Sequence, residues 1–255
     1  RFIMQQHLYI KNSYTHEQIQ LMKTYDTTSG IKRNFMSDEE FNTIKELCDK
    51  IKDWPEVGKT SKYYGMSYDD GIGKIIRKIF CDKLNDLIGD HELDFFVFQE
   101  AIKPWQIHAD IRWYQDKIPH KTVCIPLDVI SDNEQWVDTH TITFKQRDYF
   151  RNNPDTNEGS YGNKSNMQRY YDNANTENLC EGYKISKEQH KKHFSHMPYN
   201  YLEGLEIDSV ELWEPKSAIF WDQNQLHCSD NFLTNNVQTK KSLIFFTNIK
   251  PNSKV

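Results

Sequence analysis

The stretch that decides the fold is residues 104–113, which read PWQIHADIRW. Apolar and aromatic residues on both sides of His108 predict a β-strand here. Residues two apart on a strand project from the same face, so His108 and Asp110 should point in the same direction. An imidazole and a carboxylate held side by side can provide two ligands for a metal ion. A lone His-x-Asp pair is common by chance, so this interpretation depends on the rest of the chain.

A second stretch, residues 220–229, contains the residue that would complete such a site. It reads FWDQNQLHCS and includes His227. The preceding residues 210–221 predict a strand, a turn at Pro215 and another strand. Two imidazoles and one carboxylate on one face of the metal are the ligand set of non-haem Fe(II) oxygenases, which leaves coordination positions open. We therefore take His227 as the candidate third ligand.

A further strand is predicted at residues 240–247, KKSLIFFT. The order of His-x-Asp, a distant His, then a basic residue and a Ser two apart resembles the double-stranded β-helix core of the Fe(II)- and 2-oxoglutarate-dependent oxygenases. Within that superfamily the chain is most similar to the phytanoyl-CoA dioxygenase-like branch, which also has an Ile-Pro-Leu-type strand, here Thr122–Val129. The resemblance covers residues 95–130 and 205–248.

The resemblance implies that His108, Asp110 and His227 are the catalytic iron ligands. It also implies Fe(II) as cofactor and 2-oxoglutarate and O2 as co-substrates, with 2-oxoglutarate converted to succinate and CO2 as an unactivated C–H bond is hydroxylated. Members of the family that halogenate lack the carboxylate ligand. The presence of Asp110 therefore favours hydroxylation.

The co-substrate site implied by the resemblance contains Lys240 and Ser242. Lys240 stands where the family has the residue that pairs with the distal carboxylate of 2-oxoglutarate, and Ser242 would add a hydrogen bond from the same strand face. That residue is usually Arg, whose planar fork binds a carboxylate through two hydrogen bonds, whereas Lys is a point charge. Some members use Lys, and the neighbouring Lys241 is the alternative.

Arg112 follows Asp110 by two residues and would share its face if the strand continues. A buried cation there could bind an anionic group of the substrate. The alternative is that Arg112 ends the strand and reaches solvent.

The fold class indicated is mainly β with flanking helices and a double-stranded β-helix core of the jelly-roll, cupin-like type. The 255 residues are long enough for one domain with a buried core. We expect a single oxygenase domain over residues 1–255. Its parts are a largely helical flank at residues 1–94, core strands at 95–145 and 200–250, and an insertion at 146–199.

Individual elements follow from apolar periodicity. Three helices are predicted in the flank, at residues 15–25, 37–52 and 74–88, and the second begins at the capping box Ser37-Asp38-Glu39-Glu40. Short strands are predicted at residues 2–10, 94–102, 107–114, 122–130 and 139–144. We expect the helices to pack on one face of the barrel.

The insertion is polar and rich in Asn between residues 146 and 182, which is typical of loops. A long insertion between the metal ligands could cover the mouth of the barrel, so we interpret it as a lid. A surface loop without function is the alternative. Beyond it, a capping box at Ser186 opens a short helix with His190, His193 and His196. Because His196 rotates off the face that the other two share, we expect a solvated helix face and not a zinc site.

Composition restricts the function further. A net charge of -5 and a pI near 6.1 argue against nucleic acid as the partner. The five Cys are an odd number without a Cys-x-x-Cys pair, as expected of reduced intracellular thiols. Since no apolar run approaches 18 residues, we expect a cytoplasmic protein with no membrane partner.

The composition of the insertion also bears on the substrate. The polar insertion, which lacks an acyl-sized apolar stretch, favours a small polar substrate such as an amino acid or a related metabolite. The alternative function is that of a non-catalytic, cupin-like metal- or ligand-binding protein. Such a protein would not need the keto-acid cation, so Lys240 distinguishes the two.

Overall fold

The structure, a computed structural model, describes most of the chain, namely residues 14–54, 56–57, 60–66, 70–111, 117–131, 136–149, 176–177, 179–180 and 182–250. Three predictions fall outside these ranges: the strand at residues 2–10, the position of Arg112, and most of the insertion interpreted as a lid. These remain predictions. Among the described residues, no helix combines the length and the apolar character needed to cross a membrane.

Three α-helices precede most of the strands, at His16–Tyr25 (α1), Asp38–Asp49 (α2) and Gly71–Ile88 (α3). Each begins with a side chain that accepts a hydrogen bond from a backbone N–H of the first turn, supplied by Thr15, Ser37 and Asp70. These caps satisfy donors that have no partner inside the helix. The predicted helices are therefore present, although the second ends at Asp49 and the third begins at Gly71.

Eleven strands are described, at Gly30–Lys32 (β1), Glu56–Val57 (β2), Ser61–Gly65 (β3), His91–Ala101 (β4), Pro119–Ser131 (β5), His140–Asp148 (β6), Thr176–Glu177 (β7), Ile207–Leu212 (β8), Ala218–Asp222 (β9), Gln225–Ser229 (β10) and Val237–Ile249 (β11). A seven-stranded sheet has the order β1-β9-β5-β11-β4-β3-β2. In the smaller sheet, β6 pairs with β10 on one edge and with β7 and β8 on the other. Every pairing is antiparallel. The predicted mainly-β class with flanking helices is confirmed.

The strand predicted at residues 107–114 does not form over its described residues, 107–111. Residues 104–111 form no strand and meet β10 at a single bridge between His108 and His227. Pro104 has no N–H to contribute to a ladder. The pairing of β10 is itself irregular, with a register shift between Gln225 and His227. The stretch that carries His108 is therefore fixed by a few separate backbone hydrogen bonds and not by a continuous ladder.

The outer face of the large sheet is covered by α2 and α3. Their apolar side chains, Ile44 and Phe80 among them, pack against Leu243 and Phe245 of β11. These two helices cover one face of the barrel, as predicted, whereas the prediction is wrong for α1, whose buried Ile19 and Met22 belong to a different core.

The opposite face of the large sheet faces the interior of the barrel. Residues alternate between faces along a strand, so Ile244 and Phe246 point into the interior, where they pack with Trp213 and Trp221. By the same alternation, Lys240 and Ser242 face the interior.

A short helical segment begins within the last part of the insertion. It consists of one α-helical turn at Lys187–Gln189 (α4), the π-helix His190–Phe194 and, after a bend, the 3-10 helix Tyr199–Leu202. Phe194 packs against Phe144 of β6 in a separate core on the outer face of the smaller sheet.

Candidate functional site

The structure brings His108, Asp110 and His227 together. The Nε2 atom of His108 lies 3.7 Å from Oδ1 of Asp110, and Nε2 of His227 lies 3.4 Å from Oδ2 of the same carboxylate. The backbones are tied as well, since His108 and His227 exchange two N–H to C=O bonds of 3.0 and 2.9 Å. The three ligand atoms lie within 4.8 Å of one another, as a metal site requires.

Both imidazoles have their Nδ1 atoms occupied. Nδ1 of His108 lies 2.7 Å from the carbonyl oxygen of Gln106, and Nδ1 of His227 lies 2.9 Å from that of Gln225. A carbonyl only accepts, so each Nδ1 carries a proton, which leaves Nε2 as the ring nitrogen that can bind a metal. This is the arrangement that orients a metal-binding histidine from its outer side.

Asp110 is held by two donors. Thr122 Oγ1 donates to Oδ2 at 2.8 Å, and the indole N–H of Trp221 donates to the same oxygen at 3.0 Å. Burial acts to raise the pKa of Asp110, but His227, His108 and the Thr122 hydroxyl outweigh it and hold the pKa well below its usual range. The group is therefore a carboxylate, ready to bind a cation.

At His108, burial is the dominant effect, and it keeps the imidazole neutral. Burial lowers its pKa to about 4, and the nearby His227 adds to the effect. Trp105 lies against the His108 ring with centroids 5.1 Å apart, while Trp221 lies 4.7 Å from the His227 ring. These indoles limit the access of water to the two ligands.

Lys240 faces the interior from β11 and is only 1% exposed. Its Nζ lies 3.7 Å from the centroid of the Trp213 ring and 3.4 Å from the carbonyl oxygen of His140. Within the described part of the chain no carboxylate forms an ion pair with it. Burial lowers the pKa of Lys240 to about 8, against an opposing effect of Asp230. A buried cation without an anionic partner is costly, and a ligand carboxylate would remove that cost.

Ser242 and Cys124 lie next to Lys240 in the interior. Ser242 Oγ is buried and lies beside the thiol of Cys124, which forms only weak hydrogen bonds. Burial raises the pKa of that thiol to about 12, and both Lys240 and Asp110 are near enough to affect it. The metal-ligand candidates and the buried cation therefore line the same interior space.

Lys241, the alternative cation, points the other way. Its Nζ pairs with Asp49 of α2 at 3.1 Å, on the outer face of the sheet. Alternation along β11 explains why adjacent lysines have opposite surroundings. Arg112 lies outside the described residues, so its predicted role in substrate binding stays a prediction.

Sequence reasoning missed the residues that position this site. Thr122, Trp221 and Trp213 were not singled out, although the first two alternate with other interior residues on their strands. That alternation is a usable signal for burial. It does not reveal which buried polar atom contacts Asp110.

Comparison with known proteins gives structural but no sequence matches. No protein-family model matches this sequence, and no curated protein matches it significantly. The phytanoyl-CoA dioxygenase-like branch therefore has no support from sequence comparison.

Among solved structures, the chain is similar to SnoN, a non-haem α-ketoglutarate-dependent epimerase from nogalamycin biosynthesis, with a TM-score of 0.51 and 10% identity over 94% of this chain and 87% of that one. A further similar structure is HygX from Streptomyces hygroscopicus with nickel and 2-oxoglutarate bound, at a TM-score of 0.49 and 11% identity over 93% and 88% of the two chains. The chain therefore has the double-stranded β-helix fold that it shares with SnoN.

Proposed function

We propose that this protein is an Fe(II)- and 2-oxoglutarate-dependent dioxygenase that hydroxylates an unactivated C–H bond of a small polar substrate. One observation carries the proposal. A His-Asp-His triad with converging ligand atoms shares the barrel interior with Lys240, a buried cation that has no carboxylate partner among the described residues. The fold shared with SnoN is consistent with this assignment.

The residues present fit an Fe(II) ion. Two imidazole Nε2 atoms and one carboxylate are the 2-His-1-carboxylate set that non-haem iron selects. Metal-ligand bonds of about 2.1 Å place adjacent ligands about 3 Å apart in an octahedral site. The observed 3.4 and 3.7 Å between the imidazoles and Asp110 need only a small contraction.

The residues also fit the dicarboxylate co-substrate. Lys240 would pair with the distal carboxylate of 2-oxoglutarate, and the Ser242 hydroxyl on the same strand face would donate a second bond. Trp213 lies against the ammonium group and keeps it in place through a cation-π contact. Binding would therefore convert a costly buried charge into a paired one.

When bound, iron and 2-oxoglutarate would supply the O2-dependent oxidation of the substrate. The protein's own residues orient and protect the centre. Thr122 and Trp221 fix the Asp110 carboxylate, and the indoles of Trp105 and Trp221 limit access of water to the two imidazoles. A carboxylate at position 110 occupies the place that a halide would need, which favours hydroxylation.

The substrate class rests on the polar insertion at residues 146–199, which we interpret as a lid over the barrel mouth. Its Asn-rich composition favours a small polar molecule such as an amino acid or a related metabolite. The second candidate, a non-catalytic cupin-like binding protein, would keep the metal site without a keto-acid site. Lys240, which has no carboxylate partner among the described residues, favours the oxygenase.

The test is an anaerobic titration of metal-free protein with Fe(II) and then with 2-oxoglutarate. Binding is monitored through the visible charge-transfer band of an iron-chelated keto acid. We expect the band in the wild-type protein and its loss in His108→Ala. In Lys240→Ala, loss of a charged hydrogen bond should weaken 2-oxoglutarate binding by about 10- to 100-fold. The matched control is Lys241→Ala, whose side chain faces α2 and should leave binding unchanged.

Two results would contradict the proposal in different ways. Iron binding without keto-acid binding would support the cupin-like alternative. Failure to bind iron would remove the metal site altogether. If the band appears, substrates can be screened by succinate release, with incorporation of labelled O2 to separate hydroxylation from epimerisation.

A further inference from the structure

A second group of metal-ligating side chains, His140, His193 and Asp230, lies away from the triad. Their ligand atoms are all within 4.8 Å of one another. His140 begins β6, His193 lies in the π-helix, and Asp230 directly follows β10. Three separate elements therefore converge on one point.

The cluster is on the other side of the smaller sheet from the triad. Ile142 and Phe144, which share the face of His140 on β6, pack with Phe194 in the outer core. His227 pairs with Thr143 and lies between Leu226 and Cys228, both of which belong to that outer core. Since side chains alternate along a strand, His227 faces the interior while the cluster faces outward.

Asp230 is the residue that most needs a further partner. It is 3% exposed. Its Oδ2 accepts from the backbone N–H of His140 at 2.8 Å and lies 2.8 Å from Nδ1 of the same residue. Its Oδ1 is buried and has no hydrogen-bond partner among the described residues. Lys240 is near enough to interact electrostatically, but the two form no ion pair. A buried carboxylate oxygen without a donor is costly unless a cation binds it.

The π-helix places His193 against this carboxylate. Short π-helices are rare and frequently occur at functional sites. The backbone N–H of Asn231 donates to the His193 carbonyl at 2.9 Å, which fixes the π-helix to the end of β10. The His193 ring meets the His140 ring edge-on with centroids 5.4 Å apart. His193 is buried at 8% exposure, so the prediction of a solvated helix face is wrong for this residue.

We propose that His140, His193 and Asp230 bind a divalent transition-metal ion such as Zn2+, at a site separate from the triad. Two imidazoles and a carboxylate are ligands that Zn2+ takes in a tetrahedral site, with one position left for water. The ion bridges β6, the π-helix and the end of β10. It holds the helical segment at residues 187–202 against the smaller sheet.

The two remaining histidines of that segment do not take part. His190 Nε2 lies 2.9 Å from the carbonyl oxygen of Met197, and His196 Nε2 lies 3.3 Å from that of Trp105. His190 therefore offers a matched control, since it belongs to the same π-helix but contacts a different group.

The experiment measures metal per chain by equilibrium binding of Co2+ to metal-free protein, with absorption spectra recorded in parallel. We compare wild type, His227→Ala, His193→Gln, the double variant and the control His190→Gln. The expected stoichiometries are two, one, one, none and two ions per chain. Circular dichroism without metal checks folding, and Asp230→Asn, which keeps the side-chain shape, replaces His193→Gln if that variant is unfolded.

The outcomes separate this site from the triad. If the triad binds no metal but this site does, wild type binds one ion, His227→Ala keeps it and His193→Gln loses it. The inference is overturned if His193→Gln and Asp230→Asn bind as many ions as wild type. It is also overturned if the second ion shows a thiolate-to-cobalt charge-transfer band, because a Cys would then be a ligand.

Discussion

Lys240 is a residue whose buried charge lowers the stability of the fold. Its charge is buried beneath the Trp213 ring with no carboxylate partner among the described residues, and burial lowers its pKa to about 8. Keeping such a charge in the interior reduces the free energy of unfolding. Lys241, one residue on, has a partner in Asp49 and carries no such cost. The contrast is what we expect of a residue retained for ligand binding.

We therefore expect Lys240→Met to be more stable than wild type in the absence of 2-oxoglutarate. Removing the unpaired charge should contribute about 3 kcal/mol, and loss of the cation-π contact should offset about 1 to 2 kcal/mol of it. The net gain, about 1 to 2 kcal/mol, can be measured by urea denaturation. Lys241→Met is the control and should be slightly destabilised. A destabilised Lys240→Met would show that the lysine is structural.

At the scale of elements, the stretch with His108 and Asp110 depends on β10. The backbone N–H of His108 donates to the carbonyl oxygen of His227. The backbone N–H of Asp110 donates to the carbonyl oxygen of Gln223 at 2.9 Å. His227 belongs to β10, and Gln223 lies in the turn between β9 and β10. The two ligands are therefore held in place by β10 and by the turn that precedes it.

A second element-scale feature is the contact between α1 and β5. His120 of β5 meets the Tyr25 ring edge-on at 5.6 Å, and its Nδ1 is buried with no hydrogen-bond partner among the described residues. Burial lowers the pKa of His120 to about 3, with Lys121 and His91 adding to the effect. The imidazole is therefore neutral in the folded protein at any pH near neutrality.

This predicts acid sensitivity with a defined sign. Between pH 6.5 and about 3, the unfolded chain binds one more proton at His120 than the folded chain, so stability falls as the pH falls through this window. The slope due to this residue is about 1.4 kcal/mol per pH unit. His120→Phe should remove that part of the slope in denaturation measured at several pH values. An equal slope in His120→Phe and wild type would refute the prediction.

At the scale of the whole molecule, a buried ion network joins the two sheets. Asp222 of β9 accepts from Lys121 of β5 and, at 2.7 Å, from Arg147 of β6. It also accepts at 2.9 Å from the backbone N–H of Thr27, in the link between α1 and β1. Asp222 lies just before the turn that leads to β10. The network therefore fixes where the smaller sheet, with His227, meets the larger one.

Asp222→Asn would leave two largely buried cations without their shared carboxylate. Removing one partner of a buried ion pair costs about 3 to 5 kcal/mol of stability. Here Asp26, 3.5 Å from Arg147, would offset part of that cost by pairing with Arg147. We expect a loss of about 3 kcal/mol in the free energy of unfolding. Glu46→Ala, which removes an exposed pair with Lys50, should change stability by less than about 0.5 kcal/mol. Similar losses in both variants would argue against a special role for the network.

The sequence by itself determined the features that act over a few residues. Apolar spacing located the helix that begins after Thr15, and the capping box at Ser37 located the second helix, because both signals involve only neighbouring turns. The two-residue spacing of His108 and Asp110 was enough to place their side chains together. It was enough even though the segment is not a strand, since its backbone is held at both residues.

The tertiary structure alone decided the contacts made over long separations. The meeting of His227 with His108, the inward direction of Lys240 and the partners of Asp110 depend on which strands pair and in what register. The cluster of His140, His193 and Asp230 depends in addition on a π-helix. Periodicity indicates which residues are buried. It does not state which buried groups lack a partner, because that depends on every element packed around them.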